Sequence, residues 1–178
     1  MRRLAFVLAT APLVLAGCGG SDSPAEPAAS TPARITVTSP AVANGRLRTP
    51  YTCDGAGATP RISWSGVPGD AQALAVVVDD PDAPGGTYYH WVVLDLPATA
   101  TGLNEQRASV DGTEASNSGD DTGWQPACPP DGTHHYRFTV YALSAPTGLR
   151  DGADLDDALA AIDSTTVARG TLTATYAR

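Results

Sequence analysis

The feature that most constrains the fold is a series of short apolar runs, each closed by proline, glycine or aspartate. The clearest run is Ala73–Val78, which lies between Gly69-Asp70 and Asp79-Asp80-Pro81. Other short segments alternate apolar and polar residues or are rich in β-branched and aromatic residues: Arg34–Thr38, Arg61–Trp64, Trp91–Leu94, Phe138–Leu143 and Thr171–Tyr176. Such runs with such punctuation are typical of an all-β sandwich or barrel.

Two segments between the runs have a different character. Apolar residues recur with helical spacing at Leu155, Ala158, Leu159 and Ile162, which predicts a helix with one apolar stripe. Asp154 is placed to cap its amino end, and Asp156 and Asp157 suit the positive end of the helix dipole. The polar, glycine-rich stretch from Thr99 to Asp121 predicts an ordered surface loop or loop pair near a site.

The amino end has the order of features found in an export signal. Arg2 and Arg3 precede the apolar run Leu4–Leu15, and Leu15-Ala16-Gly17-Cys18 follows. This tetrapeptide resembles the lipobox of bacterial lipoproteins, in which the cysteine is acylated and becomes the first mature residue. The alternatives are a transmembrane anchor, for which the run is short of the roughly 20 residues needed, and an ordinary cleaved signal. We therefore predict a lipoprotein signal peptide over residues 1–17 and lipidation of Cys18.

Residues 18–33 are predicted to be a lipidated, flexible tether, because small residues and prolines fill the stretch without apolar periodicity. Residues 34–178 then form a single domain. The expected location is the cell envelope, either the outer membrane or the outer face of the cell membrane. Gly19 is not the acidic residue that signals retention, which mildly favours the outer membrane in a cell with two membranes.

The charge balance argues against some partners. The chain has no lysine, and only nine of its eleven arginines follow the signal, against nineteen acidic residues, so the mature charge is −10. An acidic surface without a basic stripe argues against nucleic acid and against attraction to anionic lipid. Membrane attachment is therefore expected through Cys18 alone.

Two cysteines remain after Cys18, at positions 53 and 128. In an exported domain this indicates a disulfide between Cys53 and Cys128. Two buried free thiols are the alternative, because a sequence does not give the distance between them.

Polar residues that could bind a ligand or take part in a reaction lie where strands are predicted to begin or end. Asp80 follows one strand and His90 opens the next, so a hairpin would bring them together at its mouth. His134 and Tyr136 point to one face of a third strand, given the period of two. Each feature alone is weak, since an Asp-Pro pair is usually a turn and a lone strand histidine is usually structural.

Taken together and in order, these motifs resemble the phosphatidylethanolamine-binding protein family, in its bacterial Raf-kinase-inhibitor-like branch. The resemblance runs from about Ile35 to Arg178. Its motifs are Tyr51-Thr52-Cys53-Asp54-Gly55, Pro60-Arg61-Ile62-Ser63-Trp64, Asp80-Pro81-Asp82-Ala83-Pro84, His90-Trp91-Val92-Val93, Cys128-Pro129-Pro130-Asp131-Gly132, His134-His135-Tyr136-Arg137-Phe138, Tyr141-Ala142-Leu143 and Leu172-Thr173-Ala174-Thr175-Tyr176.

The resemblance implies an antiparallel Greek-key β-sandwich with one or two peripheral helices and an anion pocket at one end. The implied pocket residues are Asp80, His90, His134 and Tyr136, with Asp82 and Pro84 shaping the loop. The implied ligand is a phosphate-containing small molecule or a lipid head group, held by imidazole, hydroxyl and backbone donors. We hypothesise that Asp80 accepts a ring N–H from a histidine or holds the ammonium of ethanolamine.

The sequence departs from the family at the rim of that pocket. Relatives usually have Gly-Pro before the Cys-Pro-Pro motif, whereas this chain has Pro126-Ala127. Proline lacks an N–H and fixes φ, so we expect a different rim or weaker anion binding. His135 replaces a frequent arginine, and Trp124 a frequent tyrosine.

Three other functions remain as alternatives to a binding module without cofactor, metal or catalytic residues. A hydrolase would use Cys128 as nucleophile and His134 as base, but no Gly-x-Ser-x-Gly motif is present. A metal site would draw on Asp80, Asp82, His90, His134 and His135, which lack a tight zinc spacing. A protein-binding inhibitor of kinases or proteases is the third, and no protein partner is predicted for it.

Overall fold

A computed structural model describes residues 34–104 and 112–178. The predicted signal peptide, the lipidation site Cys18 and the tether therefore lie outside the described residues. The elements in the described ranges are β1 (Thr36–Thr38), β2 (Val42–Ala43), β3 (Arg46–Leu47), β4 (Ile62–Ser65), β5 (Ala73–Asp80), β6 (Tyr88–Pro97), β7 (Gly102–Leu103), β8 (Thr113–Glu114), β9 (Thr133–Leu143), α1 (Leu155–Thr165) and β10 (Thr166–Ala177), with a short 3-10 turn at Thr49–Tyr51.

The strands form two sheets. The smaller has the order β1-β4-β7, and the larger has the order β2-β3-β10-β9-β5-β6-β8. The paired strands in the described ranges run antiparallel, except that β3 pairs with β10 in parallel. The predicted mostly β fold with a peripheral helix is confirmed, and the parallel pair is a correction to purely antiparallel sheets.

The main core combines residues of both sheets. Val37, Ile62 and Trp64 come from the small sheet, and they cluster with residues of the large sheet such as Val76 and Phe138. All five are buried, with at most 7% of their surface exposed. Removing this apolar surface from water is the main term that holds the sheets together.

A second core lies where α1 packs on the large sheet. Ala158 and Ile162 of α1 cluster with Ala75, Val77 and Leu94 of the large sheet. Because its residues alternate between the two cores, all eight residues of β5 are buried, which explains the continuous apolar run in the sequence. Within the described ranges, no helix is long and apolar enough to cross a membrane.

The predicted helix is confirmed together with its cap. The Asp154 side chain accepts the backbone N–H groups of Asp156 and Asp157, at 2.9 and 3.4 Å. The two acidic residues occupy the first turn, as the helix dipole favours.

The strands are longer than predicted, and several short ones were not predicted. β5 continues to Asp80 and β9 begins at Thr133, so Asp80 and His134 belong to strands, whereas Asp82 and Pro84 lie in the turn that follows β5. β2 and β3 are too short to produce a periodic signal. The predicted loop Thr99–Asp121 contains β7 and β8, and its residues 105–111 lie outside the described ranges.

Position 170 in β10 requires glycine, because the backbone just before β1 approaches it closely. A Cβ atom at position 170 would lie 1.9 Å from the carbonyl oxygen of Ile35. We expect Gly170→Ala to lower the free energy of unfolding by about 1–3 kcal/mol, since backbone atoms must move apart. Gly69→Ala is the matched control, because nothing lies within 4 Å of its Cβ position. Urea unfolding measures both variants, and equal stability of the two would contradict this account.

Candidate functional site

The candidate site lies where one end of β5 meets the first residues of β6 and β9. Because β5 is antiparallel to both neighbours, its carboxyl end lies beside their amino ends. The register pairs Asp80 with Tyr88 and Asp79 with Arg137. The hairpin that the sequence predicted at Asp80 and His90 is therefore confirmed.

A β-bulge at His90 changes the direction of its side chain. Val78 pairs with Trp91, but Asp79 pairs with Tyr89, so His90 is the extra residue on β6. Neighbouring strand residues normally point to opposite faces. Here Trp91 joins the main core, and the His90 ring lies 5.4 Å from the ring of Tyr136, another residue of that core. The bulge thus places both side chains on the same side, a common device near functional sites.

Asp80 and His134 form a buried pair at the centre of the site. His134 Nδ1 lies 2.7 Å from Asp80 Oδ2, and the side chains are 9% and 5% exposed. The other carboxylate oxygen of Asp80 accepts the N–H of Asp82 at 2.9 Å, which fixes the Asp80-Pro81-Asp82 turn. Since a carboxylate only accepts, His134 donates through Nδ1 and keeps Nε2 for a ligand. This is the first of the two roles hypothesised for Asp80.

His90 has one nitrogen engaged and one without a partner. Its Nδ1 donates to the carbonyl oxygen of Gln125 at 2.8 Å. Its Nε2 is buried without a hydrogen-bond partner among the described residues. Burial lowers the pKa of His90, although the Gln125 carbonyl and the charges of Asp80 and Asp79 oppose the shift. The ring is therefore held neutral with its proton on Nδ1.

The cavity in front of these residues has a volume of about 250 Å³. Of the predicted site residues, Asp80, Pro84, His90 and His134 line it, whereas Tyr136 and Asp82 do not. The other lining residues are Ala83, Tyr88, Gln125, Pro126, Cys128, Pro129 and Pro130. The cavity is open despite Pro126, the substitution expected to alter the rim.

Tyr136 lies behind the lining. It is fully buried, and its hydroxyl has no hydrogen-bond partner among the described residues. Burial, helped by the charge of Asp80, raises the pKa of Tyr136 well above its usual range. The hydroxyl therefore keeps its proton and can donate it. Direct contact of Tyr136 with a ligand stays a prediction.

Asp82 points away from the cavity and ties the loop to β9. Its Oδ2 accepts the backbone N–H of His135 at 2.8 Å and the ring Nδ1–H at 2.7 Å. The structure thus gives Asp82 a part in shaping the loop, as predicted, while a ligand contact stays a prediction. His135 is exposed on this outer side, so its replacement of arginine removes no charge from the cavity lining.

The predicted disulfide between Cys53 and Cys128 is present. Cys128 lines the cavity, and Cys53 donates its backbone N–H to the carbonyl of Ala127 at 3.0 Å. The bridge therefore joins one wall of the cavity to the loop at residue 53. With its sulfur in the bridge, Cys128 offers no thiol for the hydrolase alternative.

Sequence reasoning missed two contributors to the site. Tyr88 stacks near His90, with ring centroids 4.8 Å apart, and Gln125 orients His90 through its backbone carbonyl. Tyr88 lies two residues before His90 on the same strand, and this spacing could have predicted that both side chains lie on one face. A backbone carbonyl has no side-chain signature, so Gln125 had none. The described residues contain no group of three or more histidine, cysteine or acidic side chains able to hold a metal ion.

The described residues form a β-sandwich with a small cavity, lined in part by polar side chains, at one end of the large sheet. The model of the phosphatidylethanolamine-binding protein family matches residues 38–177, and the chain belongs to this family. LppC of Mycobacterium tuberculosis, named as a candidate lipoprotein, is 37% identical over 191 aligned positions, which cover 95% of this chain and 94% of LppC. A UPF0098 protein of Methanothermobacter thermautotrophicus is 38% identical over 75% of this chain and 92% of its own length.

Solved structures agree with this assignment. The Chlamydia trachomatis homologue CT736 superposes with a TM-score of 0.75 at 32% identity, covering 82% of this chain and 99% of CT736. YbcL of E. coli also gives a TM-score of 0.75, at 29% identity and the same coverage. The family resemblance and the β-sandwich predicted from the sequence are both confirmed.

The hydrogen bonds from His135 lower the pKa of Asp82 below its usual value of 3.8. This interaction therefore stabilises the fold above the ordinary pKa and is lost as pH falls through the lowered one. In His135→Ala, which keeps only the backbone bond, we expect the pKa of Asp82 to rise toward 3.8. Carboxyl NMR titration of both proteins measures it. A wild-type midpoint at or above 3.8 would contradict the assignment.

Loss of the disulfide is expected to destabilise the domain. The bridge closes a loop with a sequence separation of 75, so Cys53→Ala combined with Cys128→Ala should lower the free energy of unfolding by about 2–4 kcal/mol. Urea unfolding compares this variant with the wild type, before and after reduction. Reduction should lower wild-type stability and leave the variant unchanged, and a variant as stable as the oxidised wild type would refute the prediction.

Proposed function

We propose that the protein is a membrane-tethered, extracytoplasmic binding protein whose cavity holds phosphate-like groups, such as the head group of a phospholipid. The observation that carries this proposal is the cavity lined by His90 and by His134, whose Nδ1 is held by Asp80. Such ordered imidazoles, in a concave site with few polar groups, fit a small ligand with a polar head. Membership of the phosphatidylethanolamine-binding protein family supports a phosphate-like ligand.

The size of the cavity fits a head group better than a whole lipid. Its volume of about 250 Å³ lies just below the range of roughly 300–1,000 Å³ typical of small-molecule sites. Pro84, Pro126 and Pro130 contribute rigid, apolar walls around the polar end. The ligand is therefore expected to insert a compact polar group and leave the rest outside.

The tether is the second half of the proposal. The sequence Leu15-Ala16-Gly17-Cys18 supports acylation of Cys18 and anchoring in the cell envelope. LppC, named as a candidate lipoprotein, aligns over 95% of this chain, so the alignment includes most of the amino-terminal segment. Anchoring would keep the cavity at the membrane surface, where head groups are concentrated.

Binding without catalysis is also part of the proposal. Cys128 is in a disulfide, so the cavity has no thiol nucleophile. His134 and Asp80 form an oriented pair, and a pair of this kind typically activates the side chain of a serine, threonine or cysteine. No serine or threonine is among the residues that line the cavity.

The test is a titration of the full chain, in micelles of a detergent without phosphate, with phosphate and with phosphoethanolamine. Ring signals of the three histidines, followed by NMR, should shift saturably for His90 and His134, whereas His135 should stay unchanged because it lies outside the cavity lining. His134→Gln should weaken binding at least tenfold. His135→Gln is the matched control and should bind normally.

No shift of His90 or His134 at ligand concentrations up to about 10 mM would overturn the proposal. At that concentration a binding free energy of only about −3 kcal/mol would still be detected. A shift that survives unchanged in His134→Gln would place the ligand elsewhere on the protein and would equally overturn it.

A further inference from the structure

A second cavity lies on the face of the large sheet that packs against α1. Its volume is about 220 Å³, and no residue lines both this cavity and the one described above. We call it the outer cavity. The strands β5, β9 and β10 supply its lining residues, all of which are polar: Asp79, Arg137, Thr139, Tyr141, Arg169 and Thr171. The proposed function makes no use of this cavity, so a role for it is independent of that function.

The outer cavity lies beside the part of this face that α1 covers. Val77 of β5 belongs to the core beneath α1, and Asp79 follows it on the same face because the side-chain period of a strand is two. The register places Arg137 beside Asp79, and Thr171 beside Thr139. The helix therefore covers the apolar part of the face and leaves a polar part beside it.

The two arginines give the outer cavity a net positive charge. Arg137 binds Asp79 through Nε at 3.0 Å and also through Nη2, so these two charges balance. The Arg169 side chain is exposed and forms no hydrogen bond or ion pair with another described residue. Its guanidinium therefore keeps its N–H donors for a ligand. The lining carries one uncompensated positive charge, in a chain whose formal charge is −8.

Hydroxyl groups add further donors to the outer cavity. Thr139 Oγ1 lies 3.0 Å from Thr171 Oγ1, so one hydroxyl donates to the other and one O–H remains free to donate. Burial raises the pKa of Tyr141, and the charge of Asp79 raises it further although Arg169 and Arg137 oppose the shift. The Tyr141 hydroxyl therefore keeps its proton. The carboxylate of Asp79 is already occupied by Arg137, so the groups left for a ligand are mainly donors.

We propose that the outer cavity binds a small polar carboxylate, such as a hydroxy acid or a sugar acid. The two oxygens of a carboxylate match the parallel N–H groups of a guanidinium, here that of Arg169. Its single negative charge balances the net charge of the lining, whereas a dianion such as sulfate would leave excess negative charge near Asp79. Because every lining residue is polar, the rest of the ligand should carry hydroxyl groups and not an alkyl chain.

The experiment is an NMR titration of the full chain at low ionic strength, in micelles of a detergent without carboxylate or phosphate groups. The probes are glucuronate, glucose, butyrate and sulfate. Glucuronate should shift the backbone amide signals of Thr139, Tyr141, Arg169 and Thr171 saturably. Glucose lacks the carboxylate, butyrate lacks the hydroxyl groups, and sulfate is a dianion, so each should bind about tenfold more weakly or not at all. Added salt should weaken the binding of glucuronate, because the charge of Arg169 is exposed to solvent.

Arg169→Gln is the principal variant, because an exposed side chain without a partner can be replaced without disturbing the fold. It should raise the dissociation constant for glucuronate about tenfold, since the charged fork is lost. Tyr141→Phe removes one donor and should raise the constant about threefold. Arg61→Gln is the matched control, because it removes the same charge from an exposed residue just before β4 of the small sheet, and it should bind normally. Circular dichroism checks the folding of all three variants.

Several results would overturn the proposal. One is the absence of a saturable shift on β9 and β10 at about 50 mM glucuronate. Another is equal weakening in Arg169→Gln and Arg61→Gln, which would show only a general effect of charge. Shifts confined to His90 and His134 would place the carboxylate in the first cavity. Equal affinity for sulfate or butyrate would remove the assignment of a polar carboxylate. The phosphate titration of the first cavity is a separate measurement, so the proposed function can fail while this inference holds, and the reverse.

Discussion

Burial of β5 on both faces is the constraint on which the rest of the structure depends. The strand lies between the core shared with the small sheet and the core covered by α1, and all eight of its residues are buried. The residues of β5 from Ala73 to Val78 are apolar and therefore suit burial on both faces of the strand. Its last two residues are aspartates with only 6% and 3% exposure, and a buried carboxylate costs several kcal/mol unless it is paired.

The two aspartates are paired in different ways, and the difference creates the site. Asp79 binds the guanidinium of Arg137 through two nitrogens, which neutralises it on one face. Asp80 on the other face has an imidazole and the Asp82 N–H as partners. An imidazole bound through one nitrogen still presents the other, as metal-binding histidines do. The need to stabilise a buried charge thus leaves an oriented polar atom at the cavity.

Much of this arrangement could be predicted from side-chain patterns. The β5 run, the Asp154 cap and the pairing of two cysteines each follow from one local rule. The position of Asp80 and His90 at one end of the sheet followed from the predicted hairpin, and that of His134 and Tyr136 on one face followed from strand periodicity. These predictions succeeded because the side chains themselves carry the signal.

The parts that escaped prediction depend on the backbone. The bulge at His90 is a shift in strand register, and no residue type in the sequence predicts it. Gln125 acts through its backbone carbonyl, so its side chain gives no signal either. Asp82 was expected to shape the loop, but the partner through which it does so, His135 at 53 positions along the chain, could not be read from the sequence. Tyr136 was placed on the correct strand face, yet the lining in front of it depends on residues from three other segments.

The electrostatics of the cavity decide what kind of recognition is possible. The chain carries a formal charge of −8, and no arginine is among the described residues that line the cavity. Long-range attraction therefore cannot raise the association rate of an anion, as it does in sites with a basic funnel. Under the proposed function, recognition of an anion depends instead on short-range hydrogen bonds in a partly dehydrated space, where an unpaired donor or acceptor costs about 1–3 kcal/mol. Asp80 and Gln125 each hold one histidine ring through Nδ1, so the directions of the two rings are set before any ligand enters the cavity.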